Sequence, residues 1–165
     1  MTATLDLKRR AGAELVATAF LVMGVVGSGI VAEHLSPTDS GLALLENAIA
    51  TGAILLALIT VFGPLTGAHM NPLVTVAAAF SGRQPWSEAP AYIGAQFVGG
   101  TIGAVLANLM FGLPAISFSM HARSGTGIWL GEVMATFGLL LLIALLARSQ
   151  TASRGSSPTA RRTEP

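Results

Sequence analysis

Asn71-Pro72 is the dipeptide with the most specific chemical meaning in this sequence. Asparagine is a favoured helix N-cap, and proline a favoured first helical residue, where its missing N–H costs nothing. The apolar run that follows reaches Phe80. A helix of about nine residues is roughly 13 Å long, under half of a ~30 Å hydrocarbon core. A half-length helix starting inside an apolar protein is tolerated only where it is buried in protein or lines a cavity. Together with Gly67-Ala68-His69-Met70 before it, the stretch is therefore a pore or binding-site candidate; the plainer role for Asn71 is that of a cap alone. Two carboxylates, Glu14 and Glu132, interrupt other apolar runs. Each costs a few kcal/mol at bilayer depth unless partnered, and a proton relay is one chemistry open to them. His69 has no second ligand at useful metal spacing, and no nucleophile–base pair emerges. Metal, cofactor and enzymatic catalysis are accordingly not expected.

The elements that must position these residues are apolar helices. Charged residues make up 10% and apolar residues 52% of the 165-residue chain, against about 25% charged in soluble domains. The expected fold is all-α, a polytopic membrane helical bundle of one small domain. Spans are predicted at 11–32, 42–62, 89–111 and 128–147, with the half-helix over 72–80. Gly63-Pro64 is expected to break the second span, which Glu46 and Asn47 open. Gly99 and Gly103 form a Gly-xxx-Gly pair that marks a helix-packing face, as do Gly24, Gly27, Ser28 and Gly29 in the first span. The first span lacks a small-residue cleavage site in a polar exit and is read as retained rather than as a signal peptide. Cysteine is absent, which excludes disulfides and thiol chemistry.

Three regions follow: a polar arm over 1–10, the transmembrane domain over 11–147, and a Ser/Thr/Arg/Pro-rich tail over 148–165 without apolar periodicity, expected to be disordered. The abrupt change after Arg148 looks like a reading-frame change or an early stop. With the N-terminus inside, Lys8, Arg9, Arg10, Arg83, Arg148, Arg154, Arg161 and Arg162 are cytoplasmic, and only Arg123, in the polar segment with His121, is outside. Both termini are then cytoplasmic, in an inner or plasma membrane. Ala13-Glu14-Leu15-Val16-Ala17-Thr18 recurs as Gly131-Glu132-Val133-Met134-Ala135-Thr136. Three spans separate the start of the two copies, so the repeat is inverted, an architecture of many transport folds.

Gly67-Ala68-His69-Met70-Asn71-Pro72-Leu73-Val74-Thr75, with Ala13-Glu14 opening the first span and Ala95-Gln96 in the third, resembles the major intrinsic protein family of aquaporins and aquaglyceroporins. The resemblance covers about residues 11–147, the first half of the family's pattern plus the first helix of the second. It implies a passive channel for water or a small neutral solute. Asn71 would offer an amide donor at mid-membrane above a positive helix end, with the Gly67, Ala68 and His69 carbonyls as an acceptor ladder. Glu14 and Glu132 would each brace the re-entrant loop of their own repeat, with Gln96 supporting the first. Thr51 stands where the family carries a filter residue, often aromatic, and would leave a wider, more polar constriction suited to glycerol, urea or arsenous acid. The alternative is a threonine facing lipid or a helix. Leu73 stands where the family motif has alanine; it could narrow the midpoint or only repack behind Asn71. The second Asn-Pro motif, with the filter arginine, does not occur in the sequence. The expectation is therefore a truncated or half-channel member that meets the bilayer and completes its pore with a complementary second half or a homo-oligomer, the family commonly forming tetramers. A non-conducting truncated protein or packing module is the competing class, and no nucleic-acid partner is expected.

Overall fold

The computed structural model describes residues 5–117 and 124–155. His121 and Arg123 of the expected polar segment, and residues 156–165 of the expected tail, lie outside the described residues. Five helices follow in order among the described residues: α1 (Leu7–Leu35), α2 (Ser40–Thr66), α3 (Pro72–Phe80), α4 (Ala89–Met110) and α5 (Thr126–Gly155). All but α3 include a segment long and apolar enough to cross a membrane. The chain divides into two units, Met1–Phe118 and Ser119–Pro165, each taken by itself. The second contributes α5.

Local chemistry sets the helix ends in the first unit. Asp6 accepts from the Arg9 N–H at 2.8 Å and Asp39 from the Leu42 N–H at 3.0 Å, each satisfying a donor the helix leaves orphaned. α2 ends in Gly67 at φ 90°, a left-handed conformation that glycine adopts without penalty. Contrary to expectation, Gly63-Pro64 does not break α2, which continues to Thr66 with Pro64 inside it. The proline removes one N–H bond, but its turn keeps others: Gly67 N–H donates to the Gly63 carbonyl at 3.0 Å, and the Thr66 hydroxyl lies 3.3 Å from the Phe62 carbonyl. α1 likewise extends beyond the predicted 11–32. α5 runs past the predicted boundary at 147, so residues 148–155 of the expected tail are helical; nothing in Arg148–Arg154 breaks a helix, and Gly155 is the first strong breaker.

Small residues decide the packing. α4 lies directly on α1: a Cβ at Gly99 would strike the Leu15 carbonyl oxygen, and one at Gly103 the Ala19 carbonyl oxygen. That is the close backbone approach a Gly-xxx-Gly face permits. α2 packs on the other flank of α1, with Gly24 receiving Ile54 and with Ala17, Leu58, Ala68 and Met70 at the centre of an apolar cluster. Large apolar side chains such as Phe20, Leu56, Phe97 and Met110 remain exposed, as expected where lipid rather than protein covers them. At the N-terminal end of the bundle, Arg10 grips Glu88 with two bonds of 2.6 and 2.8 Å. The guanidinium holds the Glu88 carboxyl below the usual carboxylate range.

Candidate functional site

The site is built on one buried carboxylate. Glu14, fully buried on α1, accepts four hydrogen bonds. Its Oε1 takes the Thr66 hydroxyl at 2.6 Å and the His69 N–H at 3.0 Å. Its Oε2 takes the Met70 N–H at 2.8 Å and the Gln96 side-chain amide at 2.8 Å. Thr66 Oγ1 in turn accepts from the Ala68 N–H at 2.9 Å. Three successive backbone donors are thus held, that of residue 68 by the end of α2 and those of 69 and 70 by α1.

This capture explains an unusual backbone. Ala68 and Met70 both have positive φ, 49° and 47°, a conformation that costs a non-glycine residue on the order of 1 kcal/mol and persists only when its surroundings impose it. The Glu14 and Thr66 acceptors impose it here. With their N–H groups committed, the carbonyls of Gly67, Ala68 and His69 bond to no donor among the described residues.

α3 then starts at Asn71. The Asn71 Oδ1 accepts from the Leu73 N–H at 2.8 Å, capping its own helix, while its amide nitrogen makes no hydrogen bond among the described residues. Thr75, fully buried one turn on, accepts from the second N–H of Gln96 at 2.9 Å and lies 3.1 Å from His69 Nδ1. Gln96 therefore spans Glu14 and Thr75, tying α4 to both the loop and the half-helix. Tyr92, one turn before Gln96, donates its hydroxyl to the Thr66 carbonyl at 3.2 Å and sets its ring against that of His69, with centroids 5.4 Å apart.

The structure thus brings Glu14, Gly67, Ala68, His69, Asn71, Pro72 and Gln96 together. Leu73 joins them through its backbone N–H, while its side chain is 52% exposed. Thr51 lies apart on α2, fifteen residues or roughly 22 Å before Thr66 along the helix, with its hydroxyl 3.4 Å from Asn47 Oδ1. Glu132 belongs to α5, in the other unit. Sequence reasoning missed Thr66, Thr75 and Tyr92 as members of the cluster. A signal existed for Tyr92, which precedes Gln96 by four residues and so shares its helix face.

The sequence profile described as Major intrinsic protein matches residues 1–160. Aquaglyceroporin AqpS of Rhizobium meliloti is 50% identical over 138 residues, covering 84% of this chain and 59% of its own length. Aquaporin NIP1-4 of rice, Oryza sativa subsp. japonica, is 36% identical over 147 residues, covering 85% of this chain and 50% of its own length. The glycerol uptake facilitator protein of Bacillus subtilis is 37% identical over 101 residues, 53% of this chain and 36% of its own. The chain spans about half to three-fifths of the first two relatives. With four apolar helices and a profile match over nearly its whole length, it is an integral multi-pass membrane protein and belongs to the major intrinsic protein family.

Proposed function

We propose that this chain forms one wall of a passive transmembrane path for water or a small neutral solute of the glycerol, urea or arsenous acid type. The observation that carries this reading is the orientation of Asn71. Its oxygen is spent on the Leu73 N–H, which leaves two amide donors without a partner among the described residues at the start of a nine-residue helix. A donor above a positive helix end hydrogen-bonds a passing oxygen and opposes cations. The carbonyls of Gly67, Ala68 and His69, which take no donor among the described residues, supply acceptors beside it. A solute or water crossing there exchanges its hydrogen bonds one for one, and no covalent chemistry is involved. Glu14 and Gln96 brace the loop, Thr51 lies nearer one mouth, and Glu132 would serve the matching role in the inverted copy. The domain over 11–147 sits in the membrane, with both termini cytoplasmic on the distribution of arginine and lysine.

In the first unit α3 packs on α4, while Leu73 and Phe80, 52% and 78% exposed, project from its other side. This favours a second reading of the assembly: the opposite wall comes from a complementary half or from further copies of the chain, and the isolated chain does not conduct.

Stopped-flow light scattering on proteoliposomes, challenged with sucrose and then glycerol, tests both readings. Permeability above empty liposomes that is lost in Asn71→Asp supports a path through this site. No increase, with the protein inserted and helical, overturns conduction by the chain alone and leaves the partner-dependent reading. An increase unaffected by Asn71→Asp overturns the role of Asn71.

A further inference from the structure

The α1–α2 hairpin holds a second oriented amide, far from the Glu14 cluster. Ser28 and Asn47 face each other across it, about seven residues or roughly 10 Å from the helix ends that flank the connecting turn. The Ser28 hydroxyl donates to Asn47 Oδ1 at 2.7 Å, and the Thr51 hydroxyl approaches the same oxygen at 3.4 Å. Both hydroxyls pull on the oxygen, so the Asn47 amide nitrogen is turned away from them, and it has no partner among the described residues. It lies beside Gly29, where an added Cβ would come to 3.5 Å from that nitrogen. Asn47 and Gly29 line a cavity of about 480 Å³, together with Glu33, Ser36 and Ser40.

The lining combines free donors with acceptors. Asn47 presents two N–H groups. Ser36 donates its own proton to Glu46 Oε1 at 3.1 Å, which leaves its oxygen to accept. Glu33 adds a carboxylate. A ligand that both donates and accepts at each polar atom fits such a surface, whereas an anion meets a carboxylate and a bare cation meets the amide donors. Hydroxyl groups have that dual character.

We propose that Asn47, oriented by Ser28 and left uncovered by Gly29, binds small neutral hydroxylated solutes in the α1–α2 cavity and selects them one helical turn before they reach Thr51. The inference rests on the reading of the chain as one wall of a solute path and adds a residue that sets which solute enters it.

The chain has three asparagines, Asn47, Asn71 and Asn108, so selective 15N-asparagine labelling of the full chain in lipid nanodiscs yields three side-chain amide pairs. Asn47→Asp and Asn71→Asp assign them, and glycerol is the titrant. The expected result is a saturable shift of the Asn47 pair that is lost in Gly29→Ala, while the Asn108 pair stays still. The methyl of Gly29→Ala makes an ordinary 3.5 Å contact, so this variant covers the amide without unseating the helices. An Asn47 pair that does not move, or that moves equally in Gly29→Ala, overturns the proposal. Movement at Asn71 without Asn47 overturns this inference and keeps the wider reading; movement at Asn47 without Asn71 supports binding in the α1–α2 cavity but overturns its role in selection and counts against the wider reading.

Discussion

Replacing Glu14 with glutamine changes almost no volume and removes the centre of the site. The carboxylate takes two donors on each oxygen: Thr66 Oγ1 and His69 N on one, Met70 N and Gln96 Nε2 on the other. A glutamine offers one oxygen and one NH2 group: with the NH2 toward Met70 and Gln96 it faces two donors, and with the NH2 toward Thr66 and His69 it faces one, the His69 N–H, because the Thr66 hydroxyl can turn its proton to the Phe62 carbonyl and accept. An unsatisfied buried donor costs about 1–3 kcal/mol, and the second flip leaves the fewer of them, so the loop loses about 1–3 kcal/mol of local stability. At 1.4 kcal/mol per factor of ten, the amides of residues 68–70 exchange with deuterium roughly 5-fold to 150-fold faster, provided they exchange by local opening. Hydrogen exchange on the protein in nanodiscs, read by mass spectrometry over the 66–71 segment, measures this directly. Circular dichroism checks that α1, α2 and α4 persist. Exchange in Glu14→Gln within threefold of the parent, with the helices intact, would refute the claim that this carboxylate holds the loop.

Four further outcomes follow from the same geometry. Gly103→Ala drives a methyl into the Ala19 carbonyl and forces α4 off α1, lowering stability by about 1–3 kcal/mol; the thermal midpoint in detergent reads it, and Gly52→Ala, where the added Cβ meets nothing within 4 Å, is the silent comparison. Thr75→Val keeps the shape but strips the acceptor of Gln96 and the hydroxyl beside His69, a loss of about 1–3 kcal/mol that also shifts the His69 ring resonances in NMR. Tyr92→Phe deletes the bond to the Thr66 carbonyl at about 0.5–1.5 kcal/mol and raises exchange at the C-terminal turn of α2 more than elsewhere. The Glu88 carboxyl, held below its ordinary range by Arg10, adds stability above its unfolded pKa and loses it as pH falls through the lowered folded value. The pair is partly exposed, so Arg10→Gln destabilises by less than about 1 kcal/mol at neutral pH, and the difference in thermal midpoint between parent and variant disappears in acid.

The half-helix was the most legible part of the fold because its signals are local. Asparagine, proline and the following apolar run define 72–80 without reference to any other segment, and α3 spans Pro72–Phe80. Gly99 and Gly103 were readable as a packing face for the same reason, although nothing in the sequence names α1 as the helix they meet. Pro64 misled because a single lost N–H is a small deficit beside the packing of a long apolar helix, which the local rule for proline does not weigh. The end of α5 misled because missing apolar periodicity argues against burial, not against helix. Gln96 was named through the family resemblance, and Glu14 stood out as a carboxylate in an apolar run. Thr66, Thr75 and Tyr92 did not, because threonine and tyrosine are tolerated on almost any helix face; only the folding of 14, 66, 75, 92 and 96 onto one another reveals them.

That set also bears on how a pore could be completed. Every group that holds the 67–71 backbone, from Glu14 through Thr66, Thr75 and Tyr92 to Gln96, lies between positions 14 and 96 and so within the first unit. The strained residues Ala68 and Met70 have their N–H groups held by acceptors on α2 and α1. A complementary half then has no need to fold this loop; it needs only to supply the facing wall. Protection of the 68–70 amides is therefore expected in the chain by itself, before any partner is added, and a partner that completes the path should leave that protection within threefold while raising solute permeability. Protection that arises only on adding the partner would mean that the loop is organised from the other side, and that the Glu14 network is a consequence of assembly rather than its template.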